Sequence, residues 1–227
     1  MSPEAGLRER KKQLTREVIF ESARRLFSER GFDAVTVAEV AREADVSDVT
    51  VFNYFSTKED LFFGGMLFFE ERLIEAVRQR PAGVSASRAF ARAVLESSPR
   101  LAEDDSAEVI AQAGRVIGAS PALQVREREI VARYAASLAA ELAVETGAGG
   151  GDVESIAVAA ALMWTHRALV EHVRKQIAAG LRGRKLARDF ESQAARAFTR
   201  LDAGLAGYAV TRRRVAAAHV SGQPSGR

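Results

Sequence analysis

The sequence predicts an all-α protein, and three observations carry that expectation. Ala, Leu, Arg and Glu dominate, and apolar residues recur at spacings of three and four. No stretch alternates Val, Ile or Thr with polar residues between hairpin turns. Residues that start helices (Ser, Thr, Asp) and residues that stop them (Gly, Pro) punctuate the chain throughout. At 227 residues, 47% hydrophobic and 28% charged, there is apolar material for one sizeable core or two intimately packed ones.

The elements follow in order. Residues 1–13 read as a flexible basic arm. The first helix is expected over 14–30, with Val18, Ile19, Ala23, Leu26 and Phe27 on its buried stripe and Gly31 as its left-handed stop. Thr36 caps the second, and Glu39 three residues on completes a capping box; Val37, Val40, Ala41 and Ala44 face inward. After a tight Asp45-Val46 turn, Ser47 caps a short third helix ending near Phe55. Ser56 and Glu59 suggest a second capping box, opening one continuous helix to about Arg80, where Pro81 and Gly83 stop it. Further helices are expected near 85–98, near 105–118 and from Ser120-Pro121 to about 145. The run Gly147 to Gly151 is the clearest loop. Asp152 then caps a long helix to about 179, and a last one spans about 186–214. The domain plan is therefore an arm (1–13), a three-helix unit (14–60), a larger helical bundle (61–214) and a disordered tail (215–227).

Composition removes several function classes. Without cysteine there is neither a disulfide framework nor thiolate chemistry, which suits the cytoplasm. The N-terminus is charged and lacks the apolar core of a secretory signal. The longest apolar stretch, Ile156 to Thr165, is short for a membrane span. His166 and His172 do not share a helix face and make a poor metal pair, so no metal, cofactor or enzyme chemistry is expected. The net charge of +3 and pI near 9.5 hint at a polyanionic partner. Yet residues 1–60 hold ten Lys/Arg against twelve Asp/Glu, so DNA binding must rest on where the charges sit.

The second and third helices have the spacing of a helix-turn-helix, in which the second helix lies in the DNA major groove. Val46, Val51 and Phe55 would pack back onto the neighbouring helices. Ser47, Asp48, Val49, Thr50 and Asn53 would face DNA, with Thr50 and Asn53 bonding bases and the Val49 methyls meeting a thymine methyl. Tyr54, Lys58 and the helix start at Thr36 would reach phosphates. Arg8, Arg10, Lys11 and Lys12 could add backbone or minor-groove contacts.

Three stretches carry a family resemblance: A-x-x-L-F-x-x-x-G-F (Ala23 to Phe32), T-V-A-E-V-A-x-x-A-x-V-S (Thr36 to Ser47) and T-V-F-N-Y-F-x-x-K-E-x-L (Thr50 to Leu61). In this register residues 14–62 resemble the DNA-binding region of the TetR/AcrR family of bacterial transcriptional regulators. The resemblance implies a homodimeric repressor, released from a palindromic operator by a small effector that moves the helix after the reading helix. Three positions depart from the family's habit: Asp48, Val49, and Phe52, which stands where tyrosine is usual. Lacking the hydroxyl, Phe52 cannot donate to a phosphate and is expected to pack inward.

The resemblance also implies that the last two long helices form the dimer contact. Their candidate stripes are Val158, Leu162, Leu169 and Val173 on one, and Phe190, Ala194, Ala197, Leu201, Leu205 and Tyr208 on the other. An effector pocket in the bundle would be lined by Met66, Phe69, Leu73, Phe90, Tyr134, Leu138, Met163 and Trp164, with His166 and Arg167 as polar partners, and would take a mostly apolar molecule. Gly64-Gly65 is either a hinge or a place where another chain segment packs closely. The competing function is a helical protein–protein interaction module without DNA binding.

Overall fold

The computed structural model describes residues 3–103 and 105–205, and the side chains of all of these except 3–9 and 65–68. The described residues form ten α-helices: α1 (Pro3–Arg30), α2 (Val37–Glu43), α3 (Asp48–Tyr54), α4 (Lys58–Phe62), α5 (Gly64–Arg78), α6 (Ala86–Leu95), α7 (Ser106–Ala119), α8 (Pro121–Thr146), α9 (Val153–Ala178) and α10 (Gly183–Leu205). A 3₁₀ turn spans Ser98–Ala102, with Pro99 near its start. Among the described residues there is no strand, as the missing alternation implied.

Two layers share one continuous core. α1 packs on α2 and α4, and α2 on α3, around Ile19, Ala23, Phe27, Val40, Val51 and Phe55. α8 and α9 lie together along most of their length, flanked by α5, α6, α7 and α10, around Leu73, Phe90, Leu138, Leu162 and Met163. α7 touches both layers, packing on α1 as well as on α8 and α9. Polar contacts cross between the layers: Arg126 Nη2 and Nε donate to Asp60 Oδ1 at 2.6 and 3.1 Å, Ser120 Oγ donates to Asp33 Oδ1 at 3.1 Å, and Gln112 bonds Ser28.

Several expectations need correction. α1 begins at Pro3, so residues 3–13 are helical rather than an arm; Ala5, Leu7, Arg8, Lys11 and Gln13 are good helix formers, and proline suits the first turn. Val18 is not on its buried stripe but 51% exposed. The cap after α3 is Thr57, whose Oγ1 accepts from Asp60 N at 3.0 Å, rather than Ser56. The long helix expected from there is broken: Phe63 (φ −86°, ψ 7°) ends α4 and precedes α5. At this break a Cβ on Gly64 would lie 2.9 Å from Phe20 Cδ2 and 3.1 Å from Phe55 Cε1. Close approach therefore requires glycine there, with the rings of α1 and of the α3 C-cap pressed against the start of α5. The tail (215–227) and Tyr208 lie outside the described residues.

Of the stripes expected to meet a partner chain, Ala197, Leu201 and Leu205 are half-buried. Val158, Leu162, Leu169, Val173, Phe190 and Ala194 are buried within the chain itself, packed in the bundle core. The apolar residues of α9 left exposed are Val153, Ile156, Ala157, Trp164, Ala168 and Ala178. α9 is long and apolar enough on paper to cross a bilayer, with a window of mean hydropathy 1.2. Its packing against α8 and α10, and its ion pairs through Arg167 and Arg174, are those of a core helix.

Candidate nucleic-acid interface

The reading unit is fixed locally before it is fixed by packing. At the start of α2, Glu39 N donates to Thr36 Oγ1 at 3.2 Å, and Thr36 N donates back to Glu39 Oε2 at 2.8 Å. Arg30 Nη2 donates to Glu39 Oε1 at 2.8 Å, tying α1 to the same carboxylate. The backbone bond from Thr36, then Arg30, hold the Glu39 carboxyl down to about 2, so this cap stays charged and intact through ordinary pH. Thr36 itself is engaged in its cap, and a phosphate would find its hydroxyl and N–H already committed.

The turn is closed by Asp45, at φ 53°, and by Val46 N donating to Ala41 O at 2.9 Å. Asp tolerates this left-handed backbone better than most residues with a side chain. Ser47 then caps α3: its Oγ accepts from Thr50 N at 3.1 Å and lies 2.8 Å from Thr50 Oγ1. Phe55 N donates to Val51 O at 2.9 Å to finish the helix. Val51 and Phe55 are buried, whereas Ser47, Asp48, Val49 and Asn53 are exposed and Thr50 and Tyr54 half-buried. The expected outward face is thus brought together on seven residues, with Asp48 in the first turn, where a carboxylate suits the helix dipole.

Two residues behave differently from expectation. The Lys58 ammonium lies 4.2 Å from the Phe32 ring centroid and 5.9 Å from that of Phe27, and burial lowers its pKa against the pull of Asp33. It is a cation resting on an aromatic cluster that continues through Phe62 and Phe63, so it must swing off those rings to meet a phosphate. Phe52 is not packed inward. It is 51% exposed, beside Val49 at 69%. Arg10, Lys11 and Lys12 stand exposed along α1; Arg8 falls among the side chains not described.

Of the residues expected to line an effector pocket, Leu73, Phe90, Tyr134, Leu138 and Met163 are buried in the bundle core, and Phe69 packs on the His166 ring at 5.3 Å. The Met66 side chain lies outside the described ones. Trp164 and Arg167 line a broad groove of about 1190 Å³ between α7, α8 and α9. Its floor holds a residue that the sequence reading missed. Buried Glu127 accepts from Arg167 Nη2 at 2.6 Å and from Arg174 Nη2 at 2.8 Å, so one carboxylate clamps two guanidinium groups of α9 onto α8. Arg167 Nη1 is also 2.8 Å from Glu171 Oε1, near enough for an ion pair though outside hydrogen-bond geometry. Close by, burial pushes the Glu70 carboxyl up to about 7 and the His166 imidazole down to about 4. Glu70 Oε2 and His166 Nδ1 have no hydrogen-bond partner among the described residues. Among those residues no group of three or more His, Asp or Glu could hold a metal.

The comparisons with known proteins place this geometry. Residues 19–64, from α1 to the break at Gly64, match the family described as bacterial regulatory proteins, tetR family. The HTH-type transcriptional regulator TcmR of Streptomyces glaucescens is 33% identical over 93 residues, covering 40% of this chain and 41% of TcmR. The HTH-type transcriptional regulator HbdR of Aromatoleum sp. (strain CIB) is 42% identical over 48 residues, 21% of each protein. The chain thus matches less than half the length of either curated relative. In fold it is similar to NalD of Pseudomonas aeruginosa, with a TM-score of 0.52 at 20% identity over 82% of this chain and 96% of that one. It is also similar to SmeT in its triclosan complex, with a TM-score of 0.52 at 17% identity over 94% and 100%. The matched region runs from α1 through α4 to the first residue of α5, so this part of the chain is similar to the tetR family of bacterial regulatory proteins, with an all-helical bundle behind it.

Proposed function

We propose that the protein is a ligand-responsive, homodimeric repressor that holds a palindromic operator and releases it when a small effector binds. One observation carries the reading. α3 is capped by Ser47 and propped from behind by Val51 and Phe55, while Val49, Phe52 and Asn53 point away from the protein. A helix this short gains little from propensity, and its outward residues have no structural task in the fold. As the second helix of a helix-turn-helix it presents them to base edges. The two curated relatives, both HTH-type transcriptional regulators, support the same reading. The protein acts where its DNA is, in the cytoplasm of a bacterium, and as a regulator rather than an enzyme.

One α3 reads too few base pairs for an address, so two copies act together on half-sites about 34 Å apart or somewhat more. The support for a dimer face is the apolar strip on α9, with Ile156 and Trp164 about half exposed. Alongside it a shallow cleft is lined by Ala161, Trp164, Ala168, Ala197 and Leu201 of α9 and α10. Trp164→Glu should leave a folded monomer with weakened operator affinity; a dimer undisturbed by it would move the interface elsewhere.

The effector enters the groove between α7, α8 and α9, with Trp164 and Arg167 on its wall. α7 forms one side of that groove and also packs on α1, so a ligand that favours one position of α7 favours one placement of the reading unit. Release requires only that the effector bind the non-reading arrangement more tightly. Selecting duplexes from a random pool with the purified protein tests the core of the proposal. Enrichment of an inverted repeat is the expected result, and failure to enrich any duplex would favour the protein-interaction reading instead.

A further inference from the structure

Phe52 and Val49 are both large apolar side chains left in water, at 51% and 69% exposure, on a helix of seven residues. They are three positions apart and therefore share one face of α3. The opposite face is committed to the core through Val51, and the helix ends on buried Phe55. Nothing among the described residues covers the exposed pair. They stand between the Ser47–Thr50 hydroxyl pair and Asn53, on the same surface that would meet base edges.

In the major groove the bases offer mostly donors and acceptors, and the apolar feature on offer is the thymine C5-methyl. Three residues of helix advance about 4.5 Å, close to the ~3.4 Å rise of one base step, so the two side chains meet neighbouring base pairs. We infer that each operator half-site carries two T·A pairs at neighbouring steps, whose methyl groups pack against Val49 and Phe52. Phe52 is on this view a sequence-selecting residue, and a hydroxyl at that position is not needed to anchor a phosphate. The inference rests on the regulator reading and deepens it by naming what the apolar part of the reading face recognises.

The test uses the full-length protein and an operator selected from the random pool, synthesised with thymine or with uracil at the two positions. Uracil keeps every base-pairing and groove hydrogen bond and removes only the methyl. Wild-type affinity should fall about fourfold for each methyl removed. Phe52→Ala should abolish the uracil penalty at one position and Val49→Ala at the other, which a merely structural role for either residue would not do. Unchanged melting of both variants confirms that the exposed face was altered without loss of fold. Selected half-sites lacking neighbouring T·A pairs, or equal wild-type affinity for thymine and uracil operators, would overturn the inference while leaving DNA binding intact. A protein that selects no duplex at all would remove the regulator reading beneath it.

Discussion

The two layers treat charge in opposite ways. In the helix-turn-helix, α2 and α3 keep their charged side chains at or near the surface; Glu39 closes its own cap and stays ionised down to about pH 2. In the bundle, charge is taken inside. Glu127 is buried between two arginines, and Glu70 and His166 each keep a polar atom without a partner among the described residues. On the proposed function, a surface that fits one DNA shape gains from being indifferent to pH and held by short-range bonds. A bundle with incompletely satisfied polar groups has arrangements close in energy, which a small ligand can choose between.

That contrast can be broken by substitution, most severely in the bundle. Glu127→Ala leaves Arg167 and Arg174 with only the more exposed Glu171 carboxylate between them, and should lower unfolding free energy by about 3 kcal/mol in urea melts; a loss below about 1 kcal/mol would mean that the clamp is no stronger than a surface pair.

Next comes a pH effect. Burial raises the Glu70 carboxyl from 4.5 to about 7 in the folded chain, so the folded state holds this proton more tightly than the unfolded one. Its contribution to stability is complete below about pH 4.5 and is lost as pH rises toward about 7. Glu70→Gln should remove that decline, gaining on the order of 2 kcal/mol on wild type between pH 5 and pH 8. The buried imidazole of His166, lowered from 6.5 to about 4, works in the opposite sense: its contribution is present above pH 6.5 and lost as pH falls toward 4. It masks part of the Glu70 effect in the wild-type profile, which is why the comparison with the Gln variant is the informative one. Parallel profiles for the two proteins would contradict the burial of an ionisable Glu70.

The reading unit should respond in affinity rather than in stability. Asn53→Ala is expected to weaken operator binding by about 1–3 kcal/mol, read by titration of labelled duplex, with stability changed by less than about 0.5 kcal/mol. An equal loss on operator and random DNA would reassign Asn53 from bases to phosphate. The smallest effect expected is Ser47→Ala, which removes the α3 cap at a cost of about 1 kcal/mol. It should lower melting temperature slightly and operator affinity with it, because a frayed α3 must be re-ordered on DNA.

What could be read from the sequence divides along the same line. The caps at Thr36 and Ser47, the turn at Asp45-Val46 and the inward set Val40, Val51 and Phe55 all follow from residues close together in the chain. Phe52 departs from expectation because the family habit, a tyrosine with a packing ring and a polar end, does not transfer to a residue that lacks the polar end. In the bundle the information is spread across helices distant in sequence. α9 is so rich in Ala, Val and Leu that apolar residues occur on every side, and periodicity alone could not say which stripe α8 would cover. Glu127, in the run Val125 to Val131, resembles a solvated charge until Arg167 and Arg174 arrive from forty residues or more away. The break at Phe63 has a local signal in Gly64-Gly65, which leaves open whether the pair is a hinge or a close contact. It follows from the meeting of Phe20 and Phe55 over Gly64, a contact between three helices.

The most direct test of the central claim, that α3 enters a duplex groove and is held there by cations on phosphates, is the salt dependence of binding to the selected operator. The logarithm of the binding constant should fall linearly with the logarithm of salt concentration, with a slope of roughly −0.9 for each phosphate contacted. Binding that does not change with salt, or no binding in dilute buffer, would contradict it.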